Sequence, residues 1–158
     1  MLQKSMAQPV SIRHAVVADA AGIAKPIAST SDACCFSHSQ PCPDWYRRSI
    51  QTPAIEALVM SERLAFLLAT HDHAIAGVLA IENKFSIKYF FVDPGQQKMG
   101  LGKGLWQFIQ SNGEFGPTLT VRSSLFAVPV YEQLGFKAVE PPRCFNGLHY
   151  QTMVALNC

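Results

Sequence analysis

Apolar and polar residues alternate over Ser11 to Val17 (SIRHAVV), the pattern of a strand with one buried face. From Asp19 the period lengthens. Asp19 reads as a helix start and Ala20 to Ser29 as a helix of small residues, kinked at Pro26, which cannot donate an intrahelical hydrogen bond. The run SDACCFSHSQPCP, rich in Ser, Cys and Pro, predicts a loop. Asp44 then fits the N-cap of a helix over DWYRRSIQT that Pro53 breaks, and a further helical piece follows over Ala54 to Met60.

Beyond Ala65 the pattern turns to short apolar runs. AFLLATHD and AIAGVLAIENKF predict two strands around a tight polar turn at His71-Asp72-His73, and SIKYFFVD a third strand that ends at Pro94. Leu101, Leu105, Phe108 and Ile109 fall on one face of a helix. TLTVRS predicts a strand, and SLFAVPVYEQLG a helix stopped by Gly135 in the left-handed conformation. Pro129 inside that helix would leave a carbonyl near Leu125 without its partner. FKAVEPP and HYQTMVAL predict two closing strands. With no repeat, low-complexity tract or linker, the pattern predicts one α+β domain over residues 1–158, in which 1–10 form an N-terminal extension.

Composition narrows the function classes. A chain of 158 residues, 49% hydrophobic and 15% charged, can bury a core without disulfides or metal and is not a disordered chain. A net charge of +2, with no basic run longer than Arg47-Arg48, argues against nucleic acid as the main ligand. Five cysteines, without a CxxC pair, fit reduced thiols in a cytosolic protein and give no reason to expect a metal. Cys34, Cys35 and Cys42 share the predicted loop, where lining a pocket or, less favoured, binding a metal are the other readings. The N-terminus has no long apolar core of a signal peptide, and no window reaches the ~20 apolar residues of a membrane span. A cytoplasmic protein without membrane contact is the expectation.

The chemistry-bearing stretch is VDPGQQKMGLGKGLWQFI, Val92 to Ile109. A Walker A loop fails, because Leu101 stands where GxxxxGK requires lysine. A dinucleotide fingerprint GxGxxG fails as well, because the third glycine comes one residue early. What remains is a row of backbone N–H groups from Lys98 to Lys103 at a helix N-terminus, suited to an anion such as a pyrophosphate.

The pattern Val92-x-Pro94-x-x-Gln97-x-x-Gly100-Leu101-Gly102-x-x-Leu105 resembles the acetyl-CoA-binding motif of the GNAT superfamily of N-acetyltransferases. A second stretch, Ser124 to Phe136 with its Tyr131-x-x-Leu134-Gly135-Phe136 ending, resembles a later helix of that family, and the order of elements agrees from Ser11 to Leu156. The resemblance implies a mixed, mostly antiparallel sheet of six to seven strands, flanked by about four helices and splayed to hold CoA. It implies acetyl-CoA as cosubstrate, and direct transfer of its acetyl group to a primary amine, of a small molecule or of a chain's amino terminus, through an oxyanion that backbone N–H groups stabilise. The backbone of Phe90, Phe91 and Val92 would bond the acetyl carbonyl and pantetheine. Gln97, Lys98, Met99, Gly100, Leu101, Gly102 and Lys103 would wrap the pyrophosphate.

Tyr131 matches the family's general acid, which protonates the departing thiolate; a phenol near pKa ~10 and a thiol near ~8.5 are close to matched. Ser124 stands where many members carry an Asn that touches the cofactor. The family's usual base positions are Ser86, Lys88 and Leu119 here, none a carboxylate or imidazole. Glu82 is the expected substitute, with His149 or a chain of waters as alternatives. A strand period of two would place Ser86, Lys88 and Phe90 on one face. Trp45, Ser86 and Lys88 are expected at the acceptor; Lys88 would meet an acidic part of the substrate, or else be a surface lysine. By the resemblance, acceptor specificity lies in the loop Cys34–Tyr46 and the late strand hairpin Pro141–Tyr150; both carry aromatics and few carboxylates, which suits an apolar or aromatic wall better than a polycationic acceptor. A homodimer is a further expectation. The competing function is a non-catalytic CoA-binding sensor, which the missing base keeps open, and a plain interaction domain would bind no CoA.

Overall fold

The computed structural model describes residues 10–34, 41–93, 100–113 and 115–156. Strand β1 (Val10–His14) passes through a 3-10 turn (Val17–Asp19) into helix α1 (Ala20–Cys34). Asp19 ties that junction together. Its carboxylate accepts two hydrogen bonds from Arg13, at 2.8 and 2.9 Å, and one from the Val16 N–H at 2.8 Å. These contacts draw residues 15–19 out of the extended line, so the strand stops at His14 and not at Val17. Helix α1 runs five residues past Ser29, so Ser31 to Cys34 belong to it and not to the loop. Its burial of Ile23, Ile27, Thr30 and Ser31 outweighs the bond lost at Pro26.

Helices α2 (Asp44–Ser49) and α3 (Thr52–Met60) come after it. Asp44 is the first helical residue of α2, with Pro43 as the cap, so its carboxylate favours the positive helix end without capping a backbone N–H. Pro53 opens α3 at its first turn, where no N–H is needed, and Ile50 is buried at the bend between the helices.

Strands β2 (Leu64–His71), β3 (Ala74–Glu82) and β4 (Ser86–Val92) form a meander. Asp72 and His73, at φ 54° and 65°, make a two-residue hairpin turn that fits the twist of the strands. Asn83 and Lys84 also have positive φ and end β3 at Glu82, short of the expected Phe85. Helix α4 (Leu101–Ser111), strand β5 (Thr118–Ser123) and helix α5 (Val128–Gln133) come next. Helix α5 is half the expected length because a turn closes first, with the Ala127 N–H donating to the Ser124 carbonyl at 3.1 Å. Pro129 therefore lies in the first turn, and its missing N–H frees no carbonyl at Leu125. Gly135 ends the helix at φ 101° as expected. Three closing strands replace the expected two: β6 (Lys137–Ala138), β7 (Arg143–Phe145) and β8 (Leu148–Leu156). Asn146 and Gly147 at positive φ fold β7 back onto β8.

The sheet order is β1-β2-β3-β4-β5-β8-β6, with β7 also paired to β8, and every pairing is antiparallel except β4 with β5. The sheet thus has the mixed, mostly antiparallel character expected, and the described residues form eight strands against the expected six to seven and five α-helices against the expected four or so. One face packs on α4 through Leu67, Leu79, Leu105, Ile109 and Leu119, and the other on α1 and α3 through Ile23, Ile27, Ile55, Leu68 and Val78.

Two irregularities in β4 set the geometry at the centre of the sheet. Its ladder with β3 pairs Ile81 with Ile87 but Ala80 with Tyr89, so Lys88 is an extra residue. Such a bulge flips the side-chain phase. Ile87 and then Phe90 and Val92 lie on the α4 face, whereas Tyr89 and Phe91 lie on the α1 face. Ser86, Lys88 and Phe90 consequently do not share a face, because an unbroken period of two does not survive the bulge. On its other edge β4 pairs with β5 only at Ser86–Thr120 and Ile87–Val121, and the strands then part.

Replacing Asp19 by Ala should lower stability by about 1 kcal/mol, the usual cost of a lost turn or helix cap. Hydrogen bonds from Arg13 hold the Asp19 carboxyl below its usual range. Its contribution is therefore complete above the unfolded value of ~3.9 and is lost as pH falls through the lower folded value. The difference in melting temperature between wild type and variant should be constant from pH 5 to 8 and shrink below pH ~4.

Candidate active site

The parting of β4 and β5 opens a cleft of about 1720 Å³ through the sheet. Ala54, Ala57 and Leu58 of α3 line it on one face, and Gly102, Lys103 and Trp106 of α4 on the other. Pockets for one small molecule are typically ~300–1,000 Å³, so this cleft has room for two ligands meeting at the sheet.

Backbone groups of β4 point into the gap. The Asp93 N–H donates to the Ala76 carbonyl at 2.7 Å, so the antiparallel alternation turns Phe91 toward β3 and Phe90 and Val92 toward the opening. The buried Thr30 hydroxyl donates to the Val92 carbonyl at 3.1 Å, which anchors the strand end to α1. Phe90 is left as the residue whose peptide groups face the gap beside the bulge.

On the α4 side, Gly100 caps the helix in the left-handed conformation, φ 75°, and brings no capping side chain to the first-turn N–H groups. A Cβ on Gly102 would sit 3.5 Å from Val92 Cγ2 and 3.8 Å from Phe90 Cε1, an ordinary contact. Anything longer would fill the space between α4 and β4. Gly100, Gly102 and Lys103 all line the cleft; the Leu101 side chain is instead buried in the core, leaving only its backbone for a ligand. This cradle, a helix N-terminus with glycine on its open side and a lysine within the first turn, fits a phosphorylated group lying along β4. Gln97, Lys98 and Met99 lie outside the described residues.

Tyr131 is buried where α5 meets this gap. Its ring stands edge-on to Phe90, centroids 6.0 Å apart, and to Phe136 at 5.3 Å. Tyr89 also lines the cleft, but burial pushes its phenol up to about 12. Ser124 lines the cleft with its hydroxyl accepting the Ala127 N–H at 3.2 Å, so it also shapes the turn before α5.

On the α1 side, Glu82 lines the cleft at the end of β3 and pairs with Arg63 at 3.5 Å. His149, the alternative base, lies 3.8 Å from the Cys144 thiol on the β7–β8 hairpin. Trp45 Nε1 donates to the Asn146 carbonyl at 2.8 Å, and its ring stands edge-on to Phe145 and Tyr46, at 5.7 and 6.0 Å. These contacts join the two expected acceptor segments into one wall. Ser86, Lys88 and Trp45 all line the cleft. Thr30 and Arg122 were not identified from sequence. The alternation in TLTVRS places Arg122 opposite the buried Leu119 and Val121, so strand period alone could have found it.

Among the described residues no group of three or more His, Cys, Asp or Glu could hold a metal ion, and no helix is long and apolar enough to cross a membrane.

Comparison with known proteins adds the family. The profile of the acetyltransferase (GNAT) domain matches residues 37–156. No curated protein matches the sequence significantly. Among solved structures, a GCN5-related N-acetyltransferase from Rhodopseudomonas palustris is similar with a TM-score of 0.74 at 20% identity, covering 96% of this chain and 98% of that one. The PaiA N-acetyltransferase of Thermoplasma acidophilum, solved with coenzyme A, gives 0.74 at 12% identity, covering 94% and 99%. YncA of Salmonella typhimurium, solved with its cofactor acetyl-CoA, gives 0.69 at 18% identity, covering 94% of each chain. At these identities the likeness shows a shared fold.

Replacing Gly102 by Leu should weaken CoA binding at least tenfold by filling the space beside Val92 and Phe90, while Gly102→Ala leaves it within about threefold. Calorimetric titration of CoA into each variant checks this, and equal affinities for both would place the ligand elsewhere.

Proposed function

The chain belongs to the acetyltransferase (GNAT) domain family, and from that premise we propose that it transfers the acetyl group of acetyl-CoA to a primary amine. The observation that carries this reading is the through-sheet gap beside the Lys88 bulge, where Phe90 peptide groups and the Tyr131 ring converge. Acetyl-CoA supplies an activated thioester. The chain's own residues do the rest.

Gly100, Leu101, Gly102 and Lys103 hold the pyrophosphate at the start of α4, and Gln97, Lys98 and Met99 are assigned to the same group. The Phe90 N–H polarises the thioester carbonyl, and Phe91 and Val92 fix the line of the strand beside pantetheine. Ser124 contacts the cofactor from the α5 side. The acceptor enters from the α1 face, past Trp45, Ser86 and Lys88. Its nitrogen gains the acetyl carbon as the carbon–sulfur bond breaks. Glu82 removes the amine proton through water, and Tyr131 gives its proton to the departing thiolate.

Tyr131→Phe keeps the ring that packs on Phe90 and Phe136 and removes only the hydroxyl. It should lower kcat at least tenfold while CoA affinity changes less than twofold. An unchanged kcat removes Tyr131 from the acid role. Glu82→Gln should lower kcat/KM for the amine about tenfold near pH 7, with the loss shrinking toward pH ~10, where the amine is already neutral. A wild-type to variant ratio near one throughout removes Glu82 from the base role, and a loss that stays constant with pH makes its role structural. Thiol release from acetyl-CoA across an amine panel tests the reaction itself, and tight CoA binding without release would leave a CoA-binding domain that does not transfer.

A further inference from the structure

The acceptor side of the cleft is unevenly charged. Among the described lining residues the only carboxylate is Glu82, and Arg63 already pairs with it at 3.5 Å. Two further cations reach the same side. Lys88, the bulged residue, is exposed and carries its ammonium 5.7 Å from the centre of the Tyr89 ring, on the α1 face. Arg122 is exposed on β5 and carries its guanidinium 5.5 Å from the Tyr150 ring. Strand alternation places Arg122 away from the α4-side core that holds Leu119 and Val121, so it shares the α1 face with Lys88. Neither cation has a carboxylate partner among the described residues. The rings orient them without neutralising them, since a cation over an aromatic face keeps its full charge.

Two such cations, set on the two strands that flank the gap, repel a polyamine and attract an anion whose amine can reach Phe90. Arg122 adds a planar fork that matches a carboxylate in two hydrogen bonds. Resting on the proposed acyl transfer, we infer that the acceptor is a small amine that carries a carboxylate, held by Lys88 and Arg122 while its nitrogen points at the gap. Trp45, Tyr46 and Tyr150 form an aromatic wall beside that position, so the favoured members carry an apolar side group.

Matched amines that differ only by the carboxylate test this: phenylalanine against phenethylamine, leucine against 3-methylbutylamine, with spermidine as the polycation. Thiol release should give kcat/KM at least tenfold higher for each acid than for its partner, and spermidine should be the poorest substrate. Lys88→Ala and Arg122→Ala should each cut the acid-to-amine ratio at least threefold, and the double variant should bring it near one. A binding readout runs beside turnover. N-acetylphenylalanine should bind the CoA-saturated protein at least tenfold tighter than N-phenethylacetamide, and the double variant should lose that difference. Equal use of acid and amine, or a spermidine preference, overturns the inference. Carboxylate binding that Lys88→Ala and Arg122→Ala abolish, without any thiol release, supports the carboxylate subsite but overturns the acetyltransferase reading and with it the acceptor; thiol release without carboxylate preference keeps the transfer and overturns the subsite.

Discussion

One interrupted pairing sets the rest of the structure. Strand β4 holds β3 along its full length yet holds β5 at only two residue pairs, Ser86–Thr120 and Ile87–Val121. A sheet interior normally satisfies every backbone donor and acceptor, so strands that part in mid-sheet leave peptide groups in need of other partners. The Lys88 bulge falls where the parting begins and turns Phe90 toward it. The two halves of the sheet stay together because the α4-side core spans them, joining Leu79 and Ile87 on one side of the gap to Leu119, Val121 and Met153 on the other. The opening is therefore built into the packing.

The α4 face and the α1 face then divide the work. On the first, an uncapped helix start with a bare glycine edge lies against Val92 and Phe90. On the second, α2 and the β7–β8 hairpin lock together through Trp45 and the Asn146 carbonyl, and Lys88 and Arg122 line the approach. Thr30 ties the faces together by holding the Val92 carbonyl from α1. An anion on one side and an amine on the other would meet at the bulge, which agrees with an acyl transfer without a covalent enzyme intermediate.

Much of this was legible in the sequence, for particular reasons. The alternation and short apolar runs of β2, β3 and β4 located them to within a few residues, and Gly135 ended α5 where its lack of a Cβ predicts. The two glycine-containing motifs led to the family and singled out Phe90 and Tyr131 separately; their ring contact emerged only in the folded chain. The bulge was not legible, because Ser86 to Val92 is a continuous strand-forming run in which nothing marks Lys88 as the extra residue. Its effect on side-chain phase changed which residues face the acceptor. The reach of α1 past Pro26 and the small size of α5 came from burial and from a competing turn at Ser124, which local propensity does not weigh. The β7–β8 hairpin was legible only through the family resemblance, which places a late hairpin over Pro141–Tyr150; Arg143–Phe145 is too short to show a strand period of its own before the Asn146-Gly147 turn.

The central claim is that the gap between β4 and β5 receives the acetyl-CoA thioester. Residue-resolved amide hydrogen exchange, with and without acetyl-CoA, tests it most directly. New protection is expected at Phe90 and at Leu101 to Lys103, with little change in the β1–β2 pairing far from the gap. Acetyl-CoA binding that protects other segments and leaves Phe90 exchanging at its free rate would contradict it.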